Sequence, residues 1–260
     1  MDGEKSSSLA ASAALTAVPF AILVLVWALL RQTGLINPGL LPSRLAVLAR
    51  FWHGLLDGDL GINILMSLER VLAGLLIGTA AAVPVGFLIG WYRPVRRLID
   101  PLINFFRALP PIALIPLVIV YFGVDEFAKL VILFYASFFS GVIVMYEGVS
   151  QITPLYIRVA QTLGAGELEI FRKVIIPLTV PHILTALRVA LGVAWATLVA
   201  SELIAAQRGL GAMIQNASTY FLLDVIYVGI ICIGCIALIM DLILRKISAR
   251  LLVWQERAVA

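Results

Sequence analysis

The stretch Thr153-Pro-Leu-Tyr-Ile-Arg-Val-Ala-Gln-Thr-Leu-Gly164-Ala-Gly-Glu-Leu-Glu-Ile-Phe-Arg-Lys-Val-Ile-Ile-Pro177 separates two long apolar runs. Pro154 suits the first position of a helix because it has no N–H to leave unpaired there, and Thr153 before it is a capping residue type. Leu155, Val159 and Leu163 recur every four residues and so share one helix face. Gly164 follows where a helix ends in a left-handed residue. A second short helix is predicted next. Glu167 and Glu169 lie near its positive end, Arg172 and Lys173 near its negative end. Leu168, Phe171 and Ile175 supply its apolar face, and Pro177 is expected to end it. The result is a paired-helix elbow with apolar residues turned outward. Such a surface suits docking on another protein, or folding back on the chain's own body.

Outward from the elbow, charged residues divide the chain into apolar segments. Arg70 and Arg93 bracket 22 uncharged residues, while Arg107–Asp125 and Lys129–Glu147 each bracket 17. About 20 residues are needed to cross the ~30 Å hydrocarbon core, so the shorter runs require their flanks. Six membrane spans are predicted: 10–30, 69–91, 101–123, 127–147, 182–206 and 223–245. Leu9–Leu30 carries no charge and is followed by no small-x-small cleavage site, so it is expected to stay as a first membrane helix. The period-two alternation of barrel strands is missing. Twelve of the nineteen Lys and Arg residues fall on the side that also holds both termini, including Arg93, Arg96, Arg97, Arg158, Arg172 and Lys173. The positive-inside tendency puts that side, and the elbow, in the cytoplasm.

Composition agrees. The 260 residues are 62% hydrophobic and 13% charged, more apolar surface than a soluble domain of this size hides. The net charge of +4 comes without the basic stripe that nucleic-acid binding requires. No Gly-x4-Gly-Lys-Ser/Thr phosphate loop occurs, and no His-Glu-x-x-His or Gly-x-Ser-x-Gly. A self-contained ATPase or hydrolase is therefore not expected. His53 and His182 are expected on loops. Cys232 and Cys235 sit in an apolar run and are expected to act as small buried hydrophobes.

Within the spans, Gly74, Gly78, Ala82, Gly86 and Gly90 form a small-residue face that lets another helix approach closely, inside one subunit or between two. Pro110, Pro111 and Pro116 predict a kinked third span, which lines a translocation route or serves packing alone. Ionisable residues inside spans are costly and often functional. Glu202 is the main one, suited to binding an amine or to pairing with Arg107 or Arg208. Arg107, expected near the cytoplasmic end of its span, either attracts an anion or snorkels. Arg107, Pro110, Pro116 and Glu202 are thus the candidate path residues.

The elbow resembles the signature of binding-protein-dependent ABC importer permeases: Glu-Ala-Ala, three residues, Gly, nine residues, Ile, one residue, Leu-Pro. Ala160, Gly164 and Pro177 match at that spacing, and Val174 and Ile176 are conservative replacements. Arg158 stands where the signature has Glu, and Val159 where it has Ala. Arg107-Ala-Leu-Pro110, Pro116 and Phe122-Gly123 look like the third-span pattern of the same permeases. Leu187-Arg-Val-Ala-Leu-Gly192-Val-Ala-Trp195, then Ala200-Ser-Glu202 through Arg208-Gly-Leu-Gly211, resembles the branch importing taurine, aliphatic sulfonates, nitrate and related small anions.

The resemblance implies the type I importer fold: an all-α integral membrane protein with six transmembrane helices and a short cytoplasmic coupling helix, 154–164, between the fourth and fifth. It divides the chain into an N-terminal tail with first helix and periplasmic loop (1–60), the transmembrane domain (61–245) and a cytoplasmic tail (246–260). It implies coupling to an ATPase through Leu155, Arg158, Val159, Ala160, Gly164, Ala165, Phe171 and Pro177. It implies no catalytic residue, metal or cofactor on this chain. ATP and Mg would be held by two partner ATP-binding subunits, solute delivered by a periplasmic or lipid-anchored binding protein, and the path completed by a second permease copy, most simply a homodimer. The expected cargo is taurine or another sulfonate, with nitrate, bicarbonate or a thiamine-precursor-type solute as alternatives. An ion-driven secondary transporter is the competing class.

Overall fold

The computed structural model describes residues 18–33 and 39–252. All regular structure among them is helical, as hydrocarbon demands of a backbone with no water to bond. The helices are α1 (Val18–Gln32), α2 (Arg44–Leu56), α3 (Asp59–Trp91), α4 (Arg93–Ala108), α5 (Pro111–Phe122), α6 (Glu126–Ser150), α7 (Pro154–Thr162), α8 (Glu167–Ile170), α9 (Ile176–Ala205), α10 (Leu210–Thr219) and α11 (Leu223–Leu251). A π-helical turn, Phe171–Ile175, joins α8 to α9.

Four helices are long and apolar enough to cross a membrane: α3, α6, the continuous run Glu167–Ile204, and α11. The α4–α5 pair meets the same test only as a unit bent by 93°. Of the predicted first span, residues 18–32 are helical and 10–17 lie outside the described residues.

The frame is the α3–α6 seam. A Cβ added to Gly74 would lie 2.3 Å from Leu133 Cβ. The same test gives 2.6 Å for Gly78 against Ser137 and 2.4 Å for Gly86 against Met145. The small face therefore meets α6 of the same chain, and Gly141 on α6 returns the favour to Ala82, at 2.9 Å. Backbones this close gain dispersion contacts along their whole length, the main source of cohesion where lipid is as apolar as the side chains. α9 completes the core by laying Ala190, Leu191, Ala194, Trp195 and Leu198 against Val71, Leu75 and Leu133.

Several expectations are corrected. The third span, 101–123, is a break and not a kink. Pro110 holds Leu109 extended (φ −76°, ψ 119°), which ends α4, and Pro111 starts α5 in a new direction. The second span starts at Asp59, ten residues before the expected 69. Arg70 does not mark a membrane boundary, because its charge is buried and paired inside the bundle. Pro177 does not end the second elbow helix. The Ile176 N–H reaches back to Phe171 O in the π turn, and the helix continues past Pro177 and Pro181. Residues 246–251, expected in a tail, continue α11, and 253–260 lie outside the described residues. Segments expected as outer loops contain α2 and α10. His53 and His182 sit on helices α2 and α9, and the His182 ring packs where a Gly148 Cβ would be. Cys232 is buried, but Cys235 is exposed, and both are free thiols.

Candidate functional site

The elbow follows its sequence closely. Pro154 opens α7, although the Thr153 side chain makes no capping bond. The helix closes with Gly164 at φ +80°. The Ala165 N–H reaches Ala160 O and the Gly164 N–H reaches Gln161 O, both at 3.0 Å. This paired closure satisfies the orphan carbonyls of the last turn and fixes the direction of the following chain. No atom lies within 4 Å of a Gly164 Cβ, so the glycine is required by conformation and not by space.

Leu155, Val159 and Leu163 are exposed, Leu163 to 82%, and Leu168 continues the patch. Arg158 is also exposed, with no acidic partner among the described residues. Ala160 and Ala165 are half-buried. Phe171 departs from the expected outward face. It turns inward, edge-on to Phe87 of α3 with ring centroids 5.7 Å apart. Ile170 and Ile175 are buried beside it. A cavity of about 880 Å³ lies behind the elbow, walled by Phe87, Trp91, Ile157 and Phe171. The elbow is thus anchored through α8 and the π turn and presents α7 outward. An apolar patch on a short connection between spans is unfavourable in water, and patches of this kind mark interaction surfaces.

At the opposite end of the bundle lies an ion network that the sequence did not reveal, buried at Glu202, Arg70 and Lys129 and open to the outside at Glu126. Glu202 is 1% exposed. Its carboxylate accepts bonds from the Ser67 hydroxyl (2.9 Å), Arg70 Nη1 (2.6 Å) and the Gly211 N–H (2.8 Å). Arg70 Nη1 also donates to Arg208 O at 2.7 Å. The other side of the guanidinium grips Glu126 with two 2.6 Å bonds, and Lys129 Nζ adds a third at 2.8 Å. The Leu210 N–H donates to Ser67 Oγ, and the Gly209 N–H to Asn63 Oδ1. Two cations and two carboxylates balance. The partner expected for Glu202 was Arg107 or the Arg208 side chain; the structure supplies Arg70 instead. Gly209, at φ +130°, lets the loop close over the pair, since a Cβ there would lie 2.4 Å from Glu202 Oε1. With its charge spent on this network, Glu202 acts as a tie between α3, α6, α9 and the 206–210 loop.

The remaining path candidates lie elsewhere. Arg107, Pro110 and Pro116 are all exposed. Phe106 packs its ring on Phe139 at 5.7 Å, and its carbonyl accepts from the Tyr135 hydroxyl. Tyr135 and Phe139 flank the centre of α6, Glu126–Ser150. Arg107 is therefore at mid-depth of the bundle, not near its end as the sequence suggested. The Glu126 end of the network is separated from this level by nine to thirteen residues of α6, about 14–20 Å. Arg107 and Glu202 do not form one site. Arg107 has no carboxylate partner among the described residues. On insertion scales an arginine at the centre of a membrane helix costs about 2.5–3.5 kcal/mol, so it is expected to face water or protein. Asp241 by contrast is paired on both sides, with Arg188 at 3.0 Å and Arg245 at 2.6 Å.

Comparison with known proteins adds four findings. Residues 74–253 match the family described as binding-protein-dependent transport system inner membrane component. A "Probable ABC transporter permease protein" of Brucella abortus (strain 2308) is 47% identical over 244 residues, 94% of this chain and 96% of that one. The taurine transport system permease protein of Escherichia coli K12 is 38% identical over 239 residues, 90% of this chain and 87% of that one. In three dimensions, a chain of the MetNI methionine ABC transporter in an inward-facing conformation superposes with TM-score 0.64 at 18% identity, covering 74% of this chain and 95% of that chain, a likeness of fold.

Proposed function

We propose a function from one premise: the chain belongs to the family of binding-protein-dependent transport system inner membrane components, and is a multi-pass permease subunit of an ABC importer in the inner membrane. Its partners are accordingly an ATPase and a solute-binding protein. In the finer account, α7 with α8 is the coupling element. Leu155, Val159, Ala160 and Leu163 seat in a groove of the ATPase, and the Gly164 closure sets the angle at which α7 is held. ATP and Mg are bound on that partner. Six spans, with 10–30 as the first, as the sequence suggests, and the broken α4–α5 pair as the third, put both termini in the cytoplasm, and two copies of this chain enclose the path.

The observation that carries the coupling role is the exposed apolar face of α7, on an elbow anchored to the chain's own core through the buried Ile170 and Ile175 that follow it. Arg158 gives this docking face a positive charge, so the ATPase groove is expected to offer an acidic residue or a backbone carbonyl there. The cargo is taurine or a related sulfonate. The Escherichia coli relative's name supports it, as does the 187–211 segment.

Two experiments test this. A Val159→Cys variant should cross-link to a single-cysteine ATPase partner in the assembled transporter. The purified solute-binding partner should bind taurine or alkanesulfonates in titration calorimetry. Binding of nitrate with no binding of any sulfonate would overturn the cargo assignment while leaving the coupling role standing.

A further inference from the structure

Arg107 is exposed at mid-depth of the bundle and has no carboxylate partner among the described residues. It projects from the last turn of α4 at the level of the α6 midpoint. Its nearest acidic neighbours in the chain are Asp100, two turns back, and Asp125 beyond α5. Immediately after it the helix is broken by 93°. Leu109 is only half-buried and Pro110 is exposed. Irregular backbone at membrane depth is found only where it is packed in protein or lines a water-filled cavity. Within this chain the junction is packed through Phe106, on Phe139 and Tyr135, while Arg107 and Pro110 stay exposed. An exposed guanidinium and an exposed proline at the helix break thus point at one level to the same thing, an aqueous lumen on this side of the subunit.

We propose that Arg107 is the anion-recognition residue of the translocation path, taking the sulfonate or comparable oxyanion head of the solute midway across. This rests on the importer function proposed above. A guanidinium presents a planar fork of N–H donors that matches two oxygens of an oxyanion at once, which an ammonium cannot do. The carboxylate of Glu202 does not compete for it, because that group is paired with Arg70 in the network whose Glu126 end lies about 14–20 Å from this level along α6. In a two-copy transporter each wall contributes one Arg107, so the solute passes between two cations of the same kind. The extended Leu109–Pro110 junction turns α5 away from the α4 axis immediately after Arg107.

The test uses the complete transporter in proteoliposomes, with Cys232→Ala and Cys235→Ala as background. Arg107→Cys should react with the membrane-impermeant anionic reagent sulfonatoethyl methanethiosulfonate, and saturating taurine with its binding protein should slow that reaction. Arg107→Gln should lower taurine uptake by about 10- to 100-fold, the scale of lost hydrogen bonds to a charged group, with partial recovery in Arg107→Lys. Recovery by Lys separates loss of recognition from loss of folding. Labelling by lipid-soluble N-ethylmaleimide but not by the anionic reagent would place Arg107 against lipid or a sealed protein interface and overturn the proposal. Taurine uptake by Arg107→Gln at the wild-type rate would do the same. Failure of the wild-type transporter to import any sulfonate would instead overturn the cargo assignment.

Discussion

Glu202 and Gly164 mark the two extremes of what single residues disclosed. Gly164 was legible because its role is local: the chain must turn left-handed after the last turn of α7, and glycine does so without the roughly 1–2 kcal/mol that a side chain costs there. Gly164→Val should therefore abolish uptake while leaving membrane insertion intact, and Gly164→Asn, which tolerates the left-handed region, should retain much more activity. Uptake assays on equal amounts of membrane-inserted protein decide this. Glu202 stood out as an intramembrane acid, but its partner did not, because Arg70 lies 132 residues away and had the look of a span boundary. Removing one member of a buried pair leaves the other uncompensated. Arg70→Ala is thus expected to destabilise the fold by about 3–5 kcal/mol. Glu202→Gln, which keeps a carbonyl for Ser67, Arg70 and Gly211, should lose less. Thermal unfolding in detergent ranks the two.

Among the elements, spans with uninterrupted apolar runs were legible and their ends were not. α3 begins ten residues early because a paired charge is tolerated inside a bundle. α9 runs through Pro177 because a π turn absorbs the missing donor. The third span is two helices, since consecutive prolines at 110 and 111 both stop one helix and start the next. The small-residue face of α3 was legible as a close-approach surface. That it meets α6 follows only from the complementary positions Leu133, Ser137, Gly141 and Met145, which no single-helix pattern discloses. Gly86→Ala should cost about 1–3 kcal/mol through overpacking, because its Cβ would lie 2.4 Å from Met145 Cβ. Adding Met145→Gly removes the opposing atom and should recover part of the loss. Unfolding midpoints of the single and double variants provide the check, and a double variant no better than Gly86→Ala would contradict the seam.

At the scale of the whole molecule, the two ends of the bundle are built for different tasks. One end is tied shut by a neutralised ion network around the 206–210 loop. The other offers a rigid apolar elbow with nothing of its own to cover it. The two are joined by α9, which runs from the π turn at the elbow to Glu202 in the network. A displacement imposed on α7 by a partner thus has a continuous helix along which to reach the far end. Val159→Asp, which puts a charge into the elbow's apolar face, should prevent co-purification of the ATPase without preventing insertion of the chain into the membrane. The elbow's partner-facing character was readable from sequence because an apolar stripe on so short a connection has little of its own chain to bury it. The level of Arg107 in the bundle was not, because it depends on where α4 ends against α6.

The central claim is that this chain moves solute only as the membrane half of a machine powered from a separate ATPase. Uptake of radiolabelled taurine into proteoliposomes holding the chain, its binding protein and ATP, with and without the ATPase subunit, tests it most directly. Uptake should require the ATPase subunit and ATP together and should be absent when either is withheld. Uptake by the purified chain alone, driven by an ion gradient, would contradict it.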